Sequence, residues 1–401
     1  MFNFLKRKKN INTELIVLGL IMLINALSYG TIIPLLYPYA SKFGINAVTL
    51  SLLFASYSLF QFISTPIIGR LSDRYGRKPL LLLCLMGTSI SLAFFASATS
   101  LFMLFFARIL DGITGGNISV AQAMIADKVT GKERAKAFGM LGAAFGFGFL
   151  IGPALGGLLS QISLTAPFWF SSGFALFATI LGYFKLKESV HKSDVKKQKK
   201  EPLFNFVALF KALLNPTVGA VLLVSLIMSI TSNTFIIGFN AYSVDELSLT
   251  AKEMGLIYTM AGFLSVIMQM AGIKVLLKKF KTKEKIIKIS FLGSFFSLLS
   301  MSMGLNFFQF VFALFVYMIF RSVVNPLIST ILSERTKNED QGYIFGINQS
   351  YISLGQIIGP LSAGLVSKIS ISAIFIWASI LMYGGFLFIQ FSKKKITKVD
   401  V

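Results

Sequence analysis

Arg108 and Asp111 stand three residues apart in an otherwise apolar stretch. At 3.6 residues per turn they share a helix face with Gly115, Ile118 and Gln122. A charge at the centre of a bilayer costs about 2.5–3.5 kcal/mol or more, so such residues face the protein interior, where they form ion pairs or relay protons. Asp111 is the only acid well inside a long apolar run. It can exchange a proton, or form a structural pair with Arg108. The two uses are compatible, because a guanidinium keeps a carboxylate charged until a conformational change parts them. In the second half Arg321 lies in mid-run, with Asn325 one turn on. Either it faces a cavity, pairing with Asp111 or receiving an anionic or zwitterionic group, or it makes a structural contact to helix carbonyls. Asn25, Tyr29, Gln61, Gln122, Asn233, Gln269, Asn325 and Gln349 are polar or aromatic groups deep in such runs and are candidates for lining a substrate cavity. Their other use is interhelical hydrogen bonding, worth about 0.6 kcal/mol each.

A third kind of chemistry sits between two runs. Gly69-Arg70-Leu71-Ser72-Asp73-Arg74-Tyr75-Gly76-Arg77-Lys78-Pro79 sets one acid among four basic residues, flanked by apolar residues 47–68 and 80–98. Each flank is long enough to cross a hydrocarbon core of about 30 Å. The segment is therefore a turn at the membrane surface, with Asp73 placed as a specific ionic partner. No phosphate-binding glycine loop and no metal-ligand cluster is present, so neither ATP nor a metal is expected as a cofactor.

Hydrophobic types make up 55% of the 401 residues and charged types 13%, and the mean hydropathy is +0.75. That balance excludes a soluble enzyme and predicts an all-α polytopic membrane protein. Apolar runs predict twelve spans, near 13–39, 47–69, 79–98, 101–126, 136–162 and 166–186, then 216–240, 253–275, 285–304, 306–332, 342–367 and 371–391. Lys6 to Lys9 precede a run too long for a signal peptide and without a cleavage site, so it stays as the first helix. Of 38 Lys and Arg, 33 fall in the termini and alternate connections on one side; the other side has only Lys42, Lys252 and Lys368. The positive-inside rule then puts both termini in the cytoplasm, and the net charge of +22 reflects topology and anionic lipid rather than nucleic acid. Cys84, the sole cysteine, lies in the third span as a small hydrophobe and excludes an intrachain disulfide.

The only long polar connection divides six spans from six, predicting bundles at 1–187 and 213–401 joined by a cytoplasmic linker at 188–212. His191 belongs to that linker as a solvated residue, and 203–212 reads as an amphipathic lead-in at the membrane surface. Residues 148–158 align with 355–365 at an offset of 207, with six of eleven positions identical. The same offset brings Phe138-Gly139 onto Phe345-Gly346, Asp127 onto Glu334 and Glu133 onto Asp340. The chain is thus an internal duplication, with a site expected between its halves near the midplane.

The Gly69–Pro79 segment resembles the loop between the second and third helices of the major facilitator superfamily, G-x-L-x-D-R-x-G-R-[RK]. Asp127, Glu133-Arg134 and Gly139 resemble its A-D-x-x-x-x-x-E-R-x-x-x-x-G element, and Arg108 with Gly112 its fourth-helix R-x-x-x-G, which is associated with proton coupling. Gly148, Gly152, Pro153, Gly156 and Gly157 fall in the fifth span, where G-P-x-x-G-G resembles the motif of drug/proton antiporters. The resemblance implies twelve helices in two pseudo-symmetric six-helix bundles. It also implies a conformational gate of Gly69, Asp73, Arg74, Gly76, Arg77 and Asp127, in which Asp73 meets the start of the eleventh helix near 342 and Arg77 pairs with Asp127. The second-half counterpart, Lys274 to Lys288, keeps the basic charge without the glycines or a matching acid, so an asymmetric gate is expected.

Residues Arg108 to Gly157 look most like the tetracycline efflux proteins, but the first-helix position where those carry an acid is Asn25 here, which speaks against metal-chelate handling. The expected protein is a monomeric transporter of the cell membrane, not an enzyme, that exports a small amphiphilic compound or drug in exchange for protons. A sugar or metabolite exporter of the same fold, or a membrane scaffold or receptor that transports nothing, are the alternatives.

Overall fold

A computed structural model describes residues 2–129, 131–189, 206–280, 282–304, 306–336 and 341–391. His191, Asp340 and most of the expected linker lie outside them. Among the described residues every regular element is helical.

The first crossing is α1 (Phe2–Ile32), followed across a turn at Pro34 by the short α2 (Leu36–Ala40). Then come α3 (Ala47–Tyr75) and α4 (Arg77–Ala96). The fourth crossing is two helices, α5 (Leu101–Ile113) and α6 (Asn117–Lys128), and α7 (Gly131–Leu159) and α8 (Ala166–Lys185) complete the first six. The lead-in α9 (Phe206–Leu214) precedes α10 (Gly219–Asp245). The eighth crossing runs from α11 (Ala251–Ile267) through a π-turn, Met268–Gly272, into α12 (Ile273–Phe280). The last are α13 (Lys283–Met301), the pair α14 (Phe307–Ser322) and α15 (Val324–Glu334), α16 (Gln341–Val366) and α17 (Ile371–Phe391).

Among the described residues ten stretches are long and apolar enough to cross a membrane. The other two, α13 and α16, carry Lys283, Glu284, Lys285 and Lys288 at one end, or Asn348, Gln349 and Gln356 along the helix. Side chains close the orphaned amides at helix starts: Ser100 accepts from the Met103 amide at α5, and Asn306 and Gln309 form a reciprocal capping box at α14.

The chain forms two compact units. Unit 1 holds Met1–Phe43, Ser56–Phe204 and Thr250–Thr259; unit 2 holds Gly44–Ala55, Asn205–Leu249 and Met260–Val401. They differ from the expected 1–187 and 213–401 bundles by an exchange of two short segments. Glycines make the exchange possible. In unit 1, Gly157 is bare where the Lys252 backbone passes and Gly255 where the Pro153 carbonyl passes; in unit 2, Gly364 is bare against Ser51.

In unit 1, α1 lies along α7 and α8, and Val17, Leu18, Ile21, Leu81, Leu85, Val120, Met124 and Leu141 form a buried core. Tyr39 packs on Phe168 with ring centroids 5.0 Å apart and donates its hydroxyl to the Phe95 carbonyl at 3.0 Å. Unit 2 repeats this theme, with Tyr242 5.6 Å from Phe375 and 4.8 Å from Phe310.

Candidate functional site

Arg108 and Asp111 sit on the last turns of α5, 4% and 7% exposed, with Arg108 Nη1 3.4 Å from Asp111 Oδ2. Burial of both charges demands further partners. The guanidinium lies 4.4 Å over the Tyr57 ring, and Ser91 lines the space beside the pair. Ile32, Leu36, Leu92, Phe95 and Phe168 bound the space beside the pair and shield it. Tyr29 stands 6.1 Å from Tyr57 and 5.7 Å from Phe149, extending the aromatic wall.

The turn at 114–116 ends α5 directly after this pair. It corrects the expectation of one continuous stripe from Arg108 to Gln122, because a helical period does not carry across a break. Gly112 is bare against the Tyr57 carbonyl, Gly115 against Gln61, and Gly116 against Ile68. Helix α3 therefore approaches the break at backbone distance. Gln61 Nε2 donates to Tyr57 Oη at 2.9 Å and to the Gly115 carbonyl at 3.2 Å, and Ser64 Oγ donates to the Gly112 carbonyl at 2.9 Å. Asn117 opens α6 and exchanges amide hydrogen bonds with Asn25 at 3.1 and 3.4 Å. Asn25, Tyr29 and Gln61 thus surround the broken helix that carries Arg108 and Asp111; Gln122 lies apart and exposed on α6.

On α7 three of the motif glycines, Gly148, Gly152 and Gly156, face α1. A Cβ on Gly148 would come within 2.7 Å of Ala26 Cβ, one on Gly152 within 2.9 Å of Gly30 Cα, and Gly156 is bare against the Thr31 carbonyl. Pro153 Cδ lies beside Gly30, and the Thr31 hydroxyl is shared between the Leu27 carbonyl at 2.7 Å and the Gly152 carbonyl at 3.2 Å. Unit 2 repeats the arrangement between α10 and α16: Gly359 is bare against Asn233 and Ile230, and Thr234 Oγ1 donates to the Gly359 carbonyl at 3.1 Å. Asn233 Nδ2 turns back to the Ser229 carbonyl at 2.8 Å. Arg321, half-buried, donates from Nε to Ser232 Oγ at 3.0 Å. Asn325 and Gln349 are exposed, and Gln269 is exposed within the π-turn.

At the charged turn Arg77 binds both acids of the proposed gate, Asp73 and Asp127, the latter from Nε to Oδ2 at 3.1 Å. Its Nη1 also donates to Ser72 Oγ at 2.7 Å. Arg74 lies 5.3 Å over the Tyr75 ring, and Gly69 has open space around it. The second half carries ion pairs at the corresponding turn although Phe280 stands at the position of Asp73: Lys283 pairs with Glu334, and Arg335 Nη2 with Glu284 Oε1 at 3.0 Å. These acids lie at the start of α13 and the end of α15, beyond a glycine-free loop that hides the likeness.

Two further acids have partners that the sequence does not display. Glu14 forms a buried ion pair with Lys128, whose Nζ also reaches the Lys187 carbonyl at 3.0 Å. Glu188 binds the amides that open α4. Their signals are an acid in the first turn of the first apolar run and an acid among lysines after the sixth.

The sequence pattern of the Major Facilitator Superfamily matches residues 18–304 and again 221–398. The chain belongs to that superfamily. It is 30% identical over 385 residues to Multidrug resistance protein 2 of Bacillus subtilis (strain 168), covering 94% of this chain and 95% of that protein. To the class C tetracycline resistance protein of Escherichia coli it is 31% identical over 372 residues, covering 88% and 89%. The crystal structure of the human organic anion transporter TETRAN shares the fold, with a TM-score of 0.68 at 22% identity over 95% of this chain and 99% of that one. The protein is a multi-pass membrane transporter of the superfamily, and the broken fourth helix, the glycine seam and the charged turn are parts of such a transporter.

Proposed function

We propose that this superfamily transporter exports a small amphiphilic compound or drug across the cell membrane in exchange for protons, by alternating access of its two bundles. The observation that carries the reading is the Arg108–Asp111 pair, sealed from water at a helix break beside Tyr57. A carboxylate there either keeps its guanidinium or takes a proton, so a conformational change that moves α5 against α3 couples shape to protonation. The names of the two relatives support a drug as cargo. Asp73, Arg77 and Asp127 form the gate ionic cluster, and Asn25, Tyr29, Gln61, Asn233, Arg321 and the exposed Gln122, Gln269, Asn325 and Gln349 contribute to the substrate path. Both termini face the cytoplasm, the working unit is a monomer, and no cofactor takes part. Each proton entering down 100 mV supplies about 2.3 kcal/mol, equal to a roughly fifty-fold gradient of a neutral solute.

The test is proton release from energised inside-out vesicles on addition of tetracycline, a quinolone or ethidium, with Asp111→Asn as control. Drug-dependent release that the substitution abolishes is the expected result. Release that survives it removes Asp111 as the carrier. No release with any drug, with the protein verified in the membrane, overturns the drug/proton reading.

A further inference from the structure

Helix α4 starts one residue after the turn that carries Asp73, and it starts without a capping side chain of its own. Gly76, at its N-cap, has φ +110°, a backbone region open to glycine and strained for other residues. The amides of Arg77 and Lys78 then point out of the helix end, where an uncapped donor loses about 1 kcal/mol of stabilisation. A residue far along the chain fills the place. Glu188 Oε1 accepts from the Arg77 amide at 2.8 Å and Oε2 from the Lys78 amide at 3.1 Å. A carboxylate bridging two amides at the positive end of a helix combines charge-assisted hydrogen bonding with the helix dipole.

The same carboxylate explains why position 76 is bare: a Cβ there would collide with Glu188 Oε2. Glu188 is also tethered on both sides. Lys78 Nζ holds the Tyr183 carbonyl at 2.7 Å, Lys128 Nζ holds the Lys187 carbonyl at 3.0 Å, and Ser189 Oγ donates to Asp127 Oδ2 at 3.0 Å. Asp127 is the acid that Arg77 binds from its side chain. The backbone of Arg77 is therefore fixed by Glu188 while its guanidinium spans Asp73 and Asp127.

We propose that Glu188, at the root of the connection that leads out of α8, is a positioning residue of the cytoplasmic gate: it caps α4 from outside, occupies the space that Gly76 leaves, and holds Arg77 between its two acids. The connection between the two halves is then joined to the gate at its first residues. The inference depends on the gating role proposed above only for its effect on transport, and the structural test is independent of any substrate.

The test uses the full-length protein in lipid nanodiscs, with Glu188→Gln and Glu188→Ala. Hydrogen exchange of a peptide spanning the Arg77 and Lys78 amides should quicken about tenfold in both variants, with α10 unchanged. Glu188→Gln keeps the shape, so it serves where Glu188→Ala fails to assemble. A double-mutant cycle with Gly76→Ala on thermal unfolding should be non-additive, because without Glu188 the added methyl meets only backbone strain. With ethidium as the probe, turnover should fall about tenfold while the apparent KM stays within about twofold. Unchanged amide exchange, strict additivity with Gly76→Ala, or full turnover in both variants would each overturn the proposal. Failure of the wild-type protein to move ethidium bears on the export reading alone, and the exchange measurement still decides this one.

Discussion

Gly152→Ala is the sharpest perturbation that the α1–α7 seam offers. The added Cβ would lie 2.9 Å from both Gly30 Cα and the Leu27 carbonyl oxygen, against an ordinary contact of about 3.4–4.0 Å. Neither neighbour is the end of a flexible side chain, so one helix backbone must move by roughly half an ångström or more. Overpacking of this kind costs about 1–3 kcal/mol. The shift also stretches the Thr31–Gly152 hydrogen bond, already 3.2 Å long, which is worth about 0.6–1 kcal/mol. The expected loss is about 2–4 kcal/mol, enough to lower the apparent Tm by several degrees. Gly142→Ala and Gly146→Ala are the internal controls, since a Cβ at either meets nothing within 4 Å. Both should be neutral or slightly stabilising, because alanine is the better helix former. Cys84 is buried and is the only cysteine, so a thiol-reactive dye reports unfolding without engineering. Equal melting of Gly152→Ala and Gly142→Ala would refute the claim that bare glycines on one face of α7 set the helix distance.

Further outcomes follow from other contacts. Glu14→Gln leaves the Lys128 ammonium buried without its acid and should cost about 3–5 kcal/mol in unfolding measurements, whereas Glu14→Gln with Lys128→Met should recover most of it. Tyr57→Phe keeps the ring under the Arg108 guanidinium and should retain ethidium transport in vesicles. Tyr57→Leu removes about 0.5–2 kcal/mol of cation–π attraction and should impair it. Thr234→Val, at the unit-2 counterpart of Thr31, should destabilise by about 1 kcal/mol in the same dye melt, matching Thr31→Val. Reversing Lys283 and Glu334 together should preserve more stability than either substitution alone, read by a double-mutant cycle.

Most of the architecture could be read in the sequence because a membrane makes each signal local. Long apolar runs, the side on which lysines collect, and a charge such as Asp111 inside a run are each visible within about twenty residues. The remainder depends on partners far along the chain. The break after Asp111 follows from Gly112, Gly115 and Gly116 acting together with Tyr57, Gln61 and Ile68 across the interface, whereas glycines in membrane helices are by themselves compatible with an unbroken helix. Glu188 lies 111 residues from the amide it caps, and Lys128 reads in the sequence as a topology charge because its acid, Glu14, is 114 residues away. The duplication is legible at an offset of 207 between α7 and α16. The matching threonines Thr31 and Thr234, and tyrosines Tyr39 and Tyr242, are displaced by 203 instead, so one register could not find both.

The exchange of two short segments between the units bears on how the protein is made. Unit 1 gains its last piece, Thr250–Thr259, from the start of the eighth crossing, so the first bundle leaves the ribosome with the bare face of Gly157 still open. Unit 2 in turn needs Gly44–Ala55, synthesised before anything else in it. Biogenesis is therefore not two independent folding events in series but a dovetail, closed only after α11 has emerged. Two polypeptides split within the central connection should each be unstable when produced singly and should restore one another when produced in the same membrane.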